Sequence, residues 1–92
     1  MNRNEKALFE LKKELKGKLV ESLSLDLNPD TDISDDEILF GTGLGLDSLD
    51  AVEIVVLLQR NYGIEIKDSA KAREIFYSLD TLAKYIYANR TK

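Results

Sequence analysis

Four leucines, Leu8, Leu11, Leu15 and Leu19, fall at i, i+3, i+7 and i+11 and so share one face of a helix. A helix with one apolar face must bury it, and the rest of the chain supplies partners of the same period. Ala51, Ile54, Val55, Leu58 and Tyr62 form a second stripe, predicting a helix over 48–62. Leu79, Leu82, Ala83 and Ile86 form a third, predicting a helix over 79–89. Between them, residues 69–77 read as a short helix with Ala70, Ala72, Ile75 and Phe76 available for packing. The first helix is expected over 5–23, with Glu14 and Lys18 at the i,i+4 spacing of a supporting ion pair. Ninety-two residues leave room for one modest core. The expected fold is therefore all-α. It is a four-helix bundle of three longer helices and one short helix, in one domain over 1–92.

The remaining long stretch, residues 24–47, is a connection. Asn28-Pro29-Asp30 marks a turn, and Gly41, Gly43 and Gly45 oppose regular structure near its end. A connection this long in a small domain is either functional or packed on itself. Ile33, Ile38, Leu39, Phe40 and Leu44 are its expected anchors, with a short helical turn over Ile38-Leu39-Phe40. The connection delivers Ser48 to the start of an apolar helix. Asp47 and Ser48 are both good N-cap residues, Gly63 is the expected C-cap of that helix, and Ser78 caps the last one. Backbone N–H groups and the helix dipole at such a start favour an attached phosphate.

Charge is segregated along the chain. Residues 1–20 carry six basic and three acidic side chains, net +3. Residues 21–53 carry ten acidic and no basic ones, net −10. Residues 54–92 carry seven basic and four acidic ones, net +3. The acidic block runs past Ser48 and would attract basic partner surfaces. Leu49, Val52 and Val56 form a further apolar line on the second helix, read as a partly exposed patch beside Ser48. The overall charge of −4 argues against nucleic acid as a partner. No apolar run reaches the roughly 20 residues of a membrane span, so no stable insertion is expected. The start of the chain shows no leader-like apolar stretch, and cysteine is absent, which fits a cytoplasmic protein. A monomer is expected.

Missing residue types limit the chemistry further. Without histidine or cysteine there is no usual base for a serine, no thiol nucleophile and no soft zinc ligand, so neither a catalytic nor a metal site is assigned. Gly41-Thr42-Gly43-Leu44-Gly45 lacks the lysine of a phosphate-binding loop and the strand of a dinucleotide fold. Asp30, Asp32 and Ser34 begin like a calcium loop, but Asp35 and Gly41 stand where that loop needs Gly and Glu. Leu46 and Asp50 stand where a hydrolase elbow needs glycine on either side of Ser48. Ser48 is not a self-sufficient nucleophile, but a serine that cannot act alone can still be a point of attachment.

Gly45-Leu46-Asp47-Ser48-Leu49, followed by Asp50, Val52 and Glu53, resembles the acyl carrier proteins. The likeness extends over the leucine-striped first helix, the long acidic loop, the Tyr62-Gly63-Ile64-Glu65-Ile66 exit and the Leu79-to-Ile86 helix. The resemblance implies that Ser48 bears 4′-phosphopantetheine, donated from coenzyme A by a separate phosphopantetheinyl transferase that recognises Asp47. The arm would hold acyl groups as thioesters and present them to loading and processing enzymes with basic docking surfaces. Leu49, Asp50, Val52, Glu53, Val56 and Arg60 would face those partners. A chain of about seven methylenes costs on the order of 6 kcal/mol to leave in water, which rivals the stability of a whole small domain. The family shelters it between helices, and the candidate lining here is Val55, Leu58, Ile66, Phe76 and Leu82.

The chain also departs from the pattern of carriers in bulk fatty-acid synthesis. Gln59-Arg60-Asn61 stands where the second helix usually ends in acid. Lys67 replaces a frequent proline, and Lys71 and Arg73 lie on a third helix that is usually acidic. These departures point to a specialised member serving a dedicated pathway, within the fatty acid, lipid or related specialised biosynthesis that the resemblance implies. A carrier of aminoacyl, peptidyl or polyketide units is a rival reading. A helical interaction module without a prosthetic group is another, of a different class.

Overall fold

The computed structural model describes residues 3–41 and 43–91; Met1, Asn2, Thr42 and Lys92, which the expected domain and glycine loop include, lie outside the described residues. Four helices run in order, α1 Arg3–Ser22, α2 Ser48–Tyr62, α3 Ser69–Ile75 and α4 Leu79–Asn89. The all-α bundle with one short helix is thus as the periodicity requires. Leu11, Leu15 and Leu19 of α1 are buried, while Leu8 at the open end of the stripe is half-buried. α1 is the scaffold helix, packed on both α4 and α2. Two ion pairs fasten it. Lys12 Nζ donates to Asp80 Oδ1 of α4 at 2.7 Å. The buried Lys16 donates to Asp35 Oδ1 of the long loop, also at 2.7 Å. The expected Glu14–Lys18 pair forms loosely, at 3.8 Å.

Two residues past the end of α1, Ser24 takes a left-handed φ of 52°. Leu25 N donates back to Val20 O at 3.0 Å, closing the last turn around that residue. The turn at Asn28 forms as read: Asp30 N donates to Asn28 Oδ1 at 2.9 Å and Asp32 N to Asn28 O at 2.8 Å. The helical turn expected over Ile38-Leu39-Phe40 does not. That segment is extended, with Ile38 bridging Ser78 antiparallel and Phe40 bridging Leu46 in parallel. Leu39 is fully buried, and its peptide group therefore needs partners that a single isolated turn does not give. It finds them in Tyr77 O, 3.3 Å from its N–H, and in Leu46 N, 3.2 Å from its carbonyl. Alternation along this extended segment sends Leu39 into the core and leaves Ile38 and Phe40 half-buried.

α2 buries Ile54, Leu57, Leu58 and Tyr62. Its core stripe is rotated from the expected one: Leu57 is inside, and Ala51 and Val55 are only half-buried. Gly63 closes the helix in the left-handed region, φ 67°, as expected of the C-cap. α3 is shorter than the expected 69–77, ending at Ile75 with Phe76 as its C-cap; Ile75 and Phe76 are buried, while Ala70 is exposed, since a seven-residue helix has only one side to offer. Ser78 caps α4, accepting from Thr81 N at 3.1 Å. No helix of the described residues is long and apolar enough to cross a membrane. Among them no group of His, Cys, Asp or Glu is placed to hold a metal ion.

Candidate functional site

The start of α2 is built by two aspartates. Asp47 is the N-cap, in extended backbone, and its Oδ1 accepts from Leu49 N at 3.0 Å and Asp50 N at 3.1 Å. Asp50 Oδ2 reciprocates by accepting from Asp47 N at 2.9 Å, which completes a capping box. The loop that delivers them relies on glycine at two positions. Gly45 has φ 73°, and a Cβ on Gly43 would collide with the backbone carbonyl of Ile38. Leu46 follows Gly45 into the core and fixes the height of the helix start.

Ser48 is the first residue of α2 and is exposed. Among the described residues no hydrogen bond occupies its hydroxyl, so the oxygen is open to an incoming group. One expectation changes here. The N–H groups of Leu49 and Asp50 do not await a phosphate, because the Asp47 carboxylate already takes both. The positive end of α2 is thus partly balanced by its own cap, and Asp47 and Asp50 put negative charge beside Ser48.

Ser48 also forms part of the wall of a cavity of about 740 Å³. One wall is α2, through Ser48, Ala51, Val52 and Val55. The long loop closes another side with Ile38, Phe40 and Leu46, and the α2–α3 linker and α3 contribute Ile66, Ala72 and Phe76. The lining is mainly apolar. Of the expected lining residues, Val55, Ile66 and Phe76 are in the wall. Leu58 and Leu82 are not. Both are fully buried among the helices, because they lie on the core stripes that pack the bundle together. Ile38, Phe40, Leu46 and Ala72 line it beyond the expected set; the alternation of the loop around Leu39 is the signal that points to the first two.

The surface beside Ser48 is apolar and exposed as the second stripe suggested: Leu49 is 76 % accessible, Val52 59 % and Val56 37 %. Glu53 stands exposed among them. Asp50 is half-buried, its carboxylate engaged in the cap. Arg60 is exposed in the last turn of α2, about 18 Å along the helix axis from Ser48 at 1.5 Å per residue.

An exposed serine at a helix start, opening onto an apolar cavity in a small helical bundle, is the architecture of a carrier domain. Residues 14–86 match the family described as the phosphopantetheine attachment site. The chain is 39 % identical over 78 residues to the acyl carrier protein of Campylobacter hominis, covering 85 % of this chain and 91 % of that one. It is 33 % identical over 84 residues to the acyl carrier protein of Helicobacter pylori, covering 91 % and 96 %. It also matches the mitochondrial acyl carrier protein of Neurospora crassa, 43 % identical over 47 residues, which are 51 % of this chain and 34 % of that protein. The chain belongs to the acyl carrier protein family. Its members are carriers rather than enzymes, and their prosthetic group is phosphopantetheine.

The residues present fit that group. The Ser48 hydroxyl is exposed and open, and the cavity begins at the same side chain. With no cysteine in the chain, a thiol on the arm would have no internal competitor.

Proposed function

We propose that Ser48 Oγ is the attachment point of 4′-phosphopantetheine and that this chain carries acyl groups between enzymes of fatty acid, lipid or related specialised biosynthesis. When bound, the arm supplies a terminal thiol on which acyl groups are held as thioesters. Ser48 provides the tether. The observation that carries the reading is the shared position of Ser48: exposed at the first residue of α2 and at the same time part of the wall of an apolar cavity. Asp47 and Asp50 hold the helix start in one shape, so that a phosphopantetheinyl transferase meets a preformed surface rather than a mobile loop.

The faces divide by task. Leu49, Val52 and Val56 give partners an apolar contact, and Glu53 with the exposed carboxylates of the acidic block gives them charge complementary to basic docking surfaces. Val55, Ile66 and Phe76 shelter an acyl chain from water. Arg60 and Lys71 narrow the set of enzymes that dock, making the chain a dedicated carrier.

The decisive experiment is intact mass after incubation with coenzyme A, magnesium and a broad-specificity phosphopantetheinyl transferase. One pantetheine arm is expected on the full chain and none on Ser48→Ala. Addition that survives Ser48→Ala contradicts the assignment. So does the absence of any addition.

A further inference from the structure

Two cations and two acids, Lys67 and Arg73 with Asp47 and Asp68, stand among the mainly apolar lining of the cavity. Lys67 lies in the linker after α2 and Arg73 on α3, on other elements than the one that carries Ser48. Neither is committed to a strong partner. Lys67 reaches Glu65 only at 3.9 Å, with both side chains mostly in water, the kind of pair that holds little. Arg73 forms no ion pair among the described residues. The two acids of the lining are already used: Asp47 caps α2, and Asp68 Oδ1 caps α3 by accepting from Ala70 N at 2.9 Å and Lys71 N at 3.3 Å.

A plain hydrocarbon tail has no use for this arrangement. A methyl end gains nothing from a guanidinium, and covering the cation with hydrocarbon removes water that it needs. An oxygen-bearing end gains from it, since the planar fork of an arginine matches a carboxylate bidentately and Lys67 adds a second positive charge. We infer that Lys67 and Arg73 make this part of the lining an anion-accepting edge, suited to acyl cargo whose far end carries a carboxylate. The inference rests on Ser48 as the tether. The phosphodiester of the arm is not the intended anion, because the tether fixes it to the start of α2 beside Asp47 and Asp50, whereas Lys67 and Arg73 belong to the linker and α3.

The full chain is loaded by a broad-specificity transferase with bare pantetheine, with octanoyl-pantetheine or with its 7-carboxyheptanoyl counterpart, and intact mass confirms each species. Arg73 Nε–Hε is then followed by NMR, and thioester hydrolysis by mass. The carboxylated cargo is expected to shift the Arg73 side-chain signal, where octanoyl leaves it in place. The carboxylated thioester is expected to hydrolyse about two- to five-fold faster in R73Q/K67Q than in the native chain, the range that an exposed ion pair supplies. The octanoyl thioester should be unaffected by the same changes. Equal Arg73 signals for the two cargoes overturn the proposal. A shift already complete with bare pantetheine also overturns it, since the cations then serve the phosphodiester. Failure of any species to form is a failure of Ser48 as the tether, read directly from the mass and separate from both.

Discussion

Asp47 and Asp50 cap one another across the start of α2, the Asp47 carboxylate 3.1 Å from Asp50 N and the Asp50 carboxylate 2.9 Å from Asp47 N. Two like charges are tolerated this close because each is held by a backbone donor and by the positive end of the helix. The pair converts a glycine-rich loop into a fixed platform for Ser48.

Removing the two halves of this box should have unequal effects. Asp47→Ala deletes the N-cap that serves two N–H groups and is expected to cost about 1 kcal/mol or somewhat more. Asp50→Ala loses only the reciprocal bond and should cost about 0.5–1 kcal/mol. Asp47→Asn should keep most of the stability, since asparagine caps as well as aspartate. Urea unfolding of the three variants gives the order. Equal losses for Asp47→Ala and Asp50→Ala would mean that the box does not work as its geometry states.

Ser24 holds φ 52° just past the end of α1, a conformation that costs a residue with a Cβ about 1 kcal/mol and glycine nothing. Ser24→Gly should therefore stabilise the chain by at most about 0.5 kcal/mol after the added freedom of the unfolded glycine is subtracted. The site is exposed and on the loop side of α1, so loading of Ser48 should not change. Thermal unfolding measures the first part and intact mass the second.

Asp80 receives a hydrogen bond from Lys12 at 2.7 Å and pairs with Lys84 at 3.0 Å. The Lys12 bond, followed by the Lys84 bond, holds its carboxyl below the ordinary carboxylate value. A folded value below the unfolded one means that this stability is present above the unfolded carboxylate range, near 3.9, and is lost as pH falls through the lower folded value. Asp80→Asn should cost about 1 kcal/mol at neutral pH. The difference between native and variant should shrink only below about pH 4. Unfolding free energies over an acid series test this. A gap that closes between pH 5 and 7 would point to another group.

Much of this molecule can be read from its residues, and the exceptions have a common cause. Helix periodicity gave α2 and α4 to the residue, because Asp47, Gly63 and Ser78 are strong local stops and starts. The exposed line of Leu49, Val52 and Val56 followed from the same wheel. Leu57 is absent from the expected core stripe because α2 carries apolar residues on several faces, and only the positions of α1 and the loop decide which face goes inward. Ile38-Leu39-Phe40 is extended rather than a helical turn because its partners, Tyr77 and Leu46, come from elsewhere in the chain. Pairing across such distances leaves no local period. The same applies to the cavity. Leu58 and Val55 are adjacent on one stripe, yet one seals the core and the other lines the cavity, a difference decided by which elements pack against each.

That division predicts how the cavity can be closed without unfolding the bundle. Ala72 lies in the α3 wall and is half-buried, with the open volume in front of it. Ala72→Leu puts about three carbons into that space, each worth about 0.8 kcal/mol when buried. The apo chain should therefore keep or gain stability, by at most about 2 kcal/mol. Ser48 is on α2, so attachment of a bare arm should proceed as in the native chain. The change should appear once an octanoyl chain is loaded: in the native chain it raises the unfolding temperature by filling the cavity, and in Ala72→Leu that rise should be largely lost. Leu58→Ala is the contrast. Leu58 is fully buried in the core rather than in the cavity wall, so its truncation should destabilise apo and loaded chains alike, by about 2–5 kcal/mol. Unfolding temperatures of the apo, bare-arm and octanoyl forms of all three chains decide the matter. An undiminished octanoyl effect in Ala72→Leu would remove the acyl chain from this cavity.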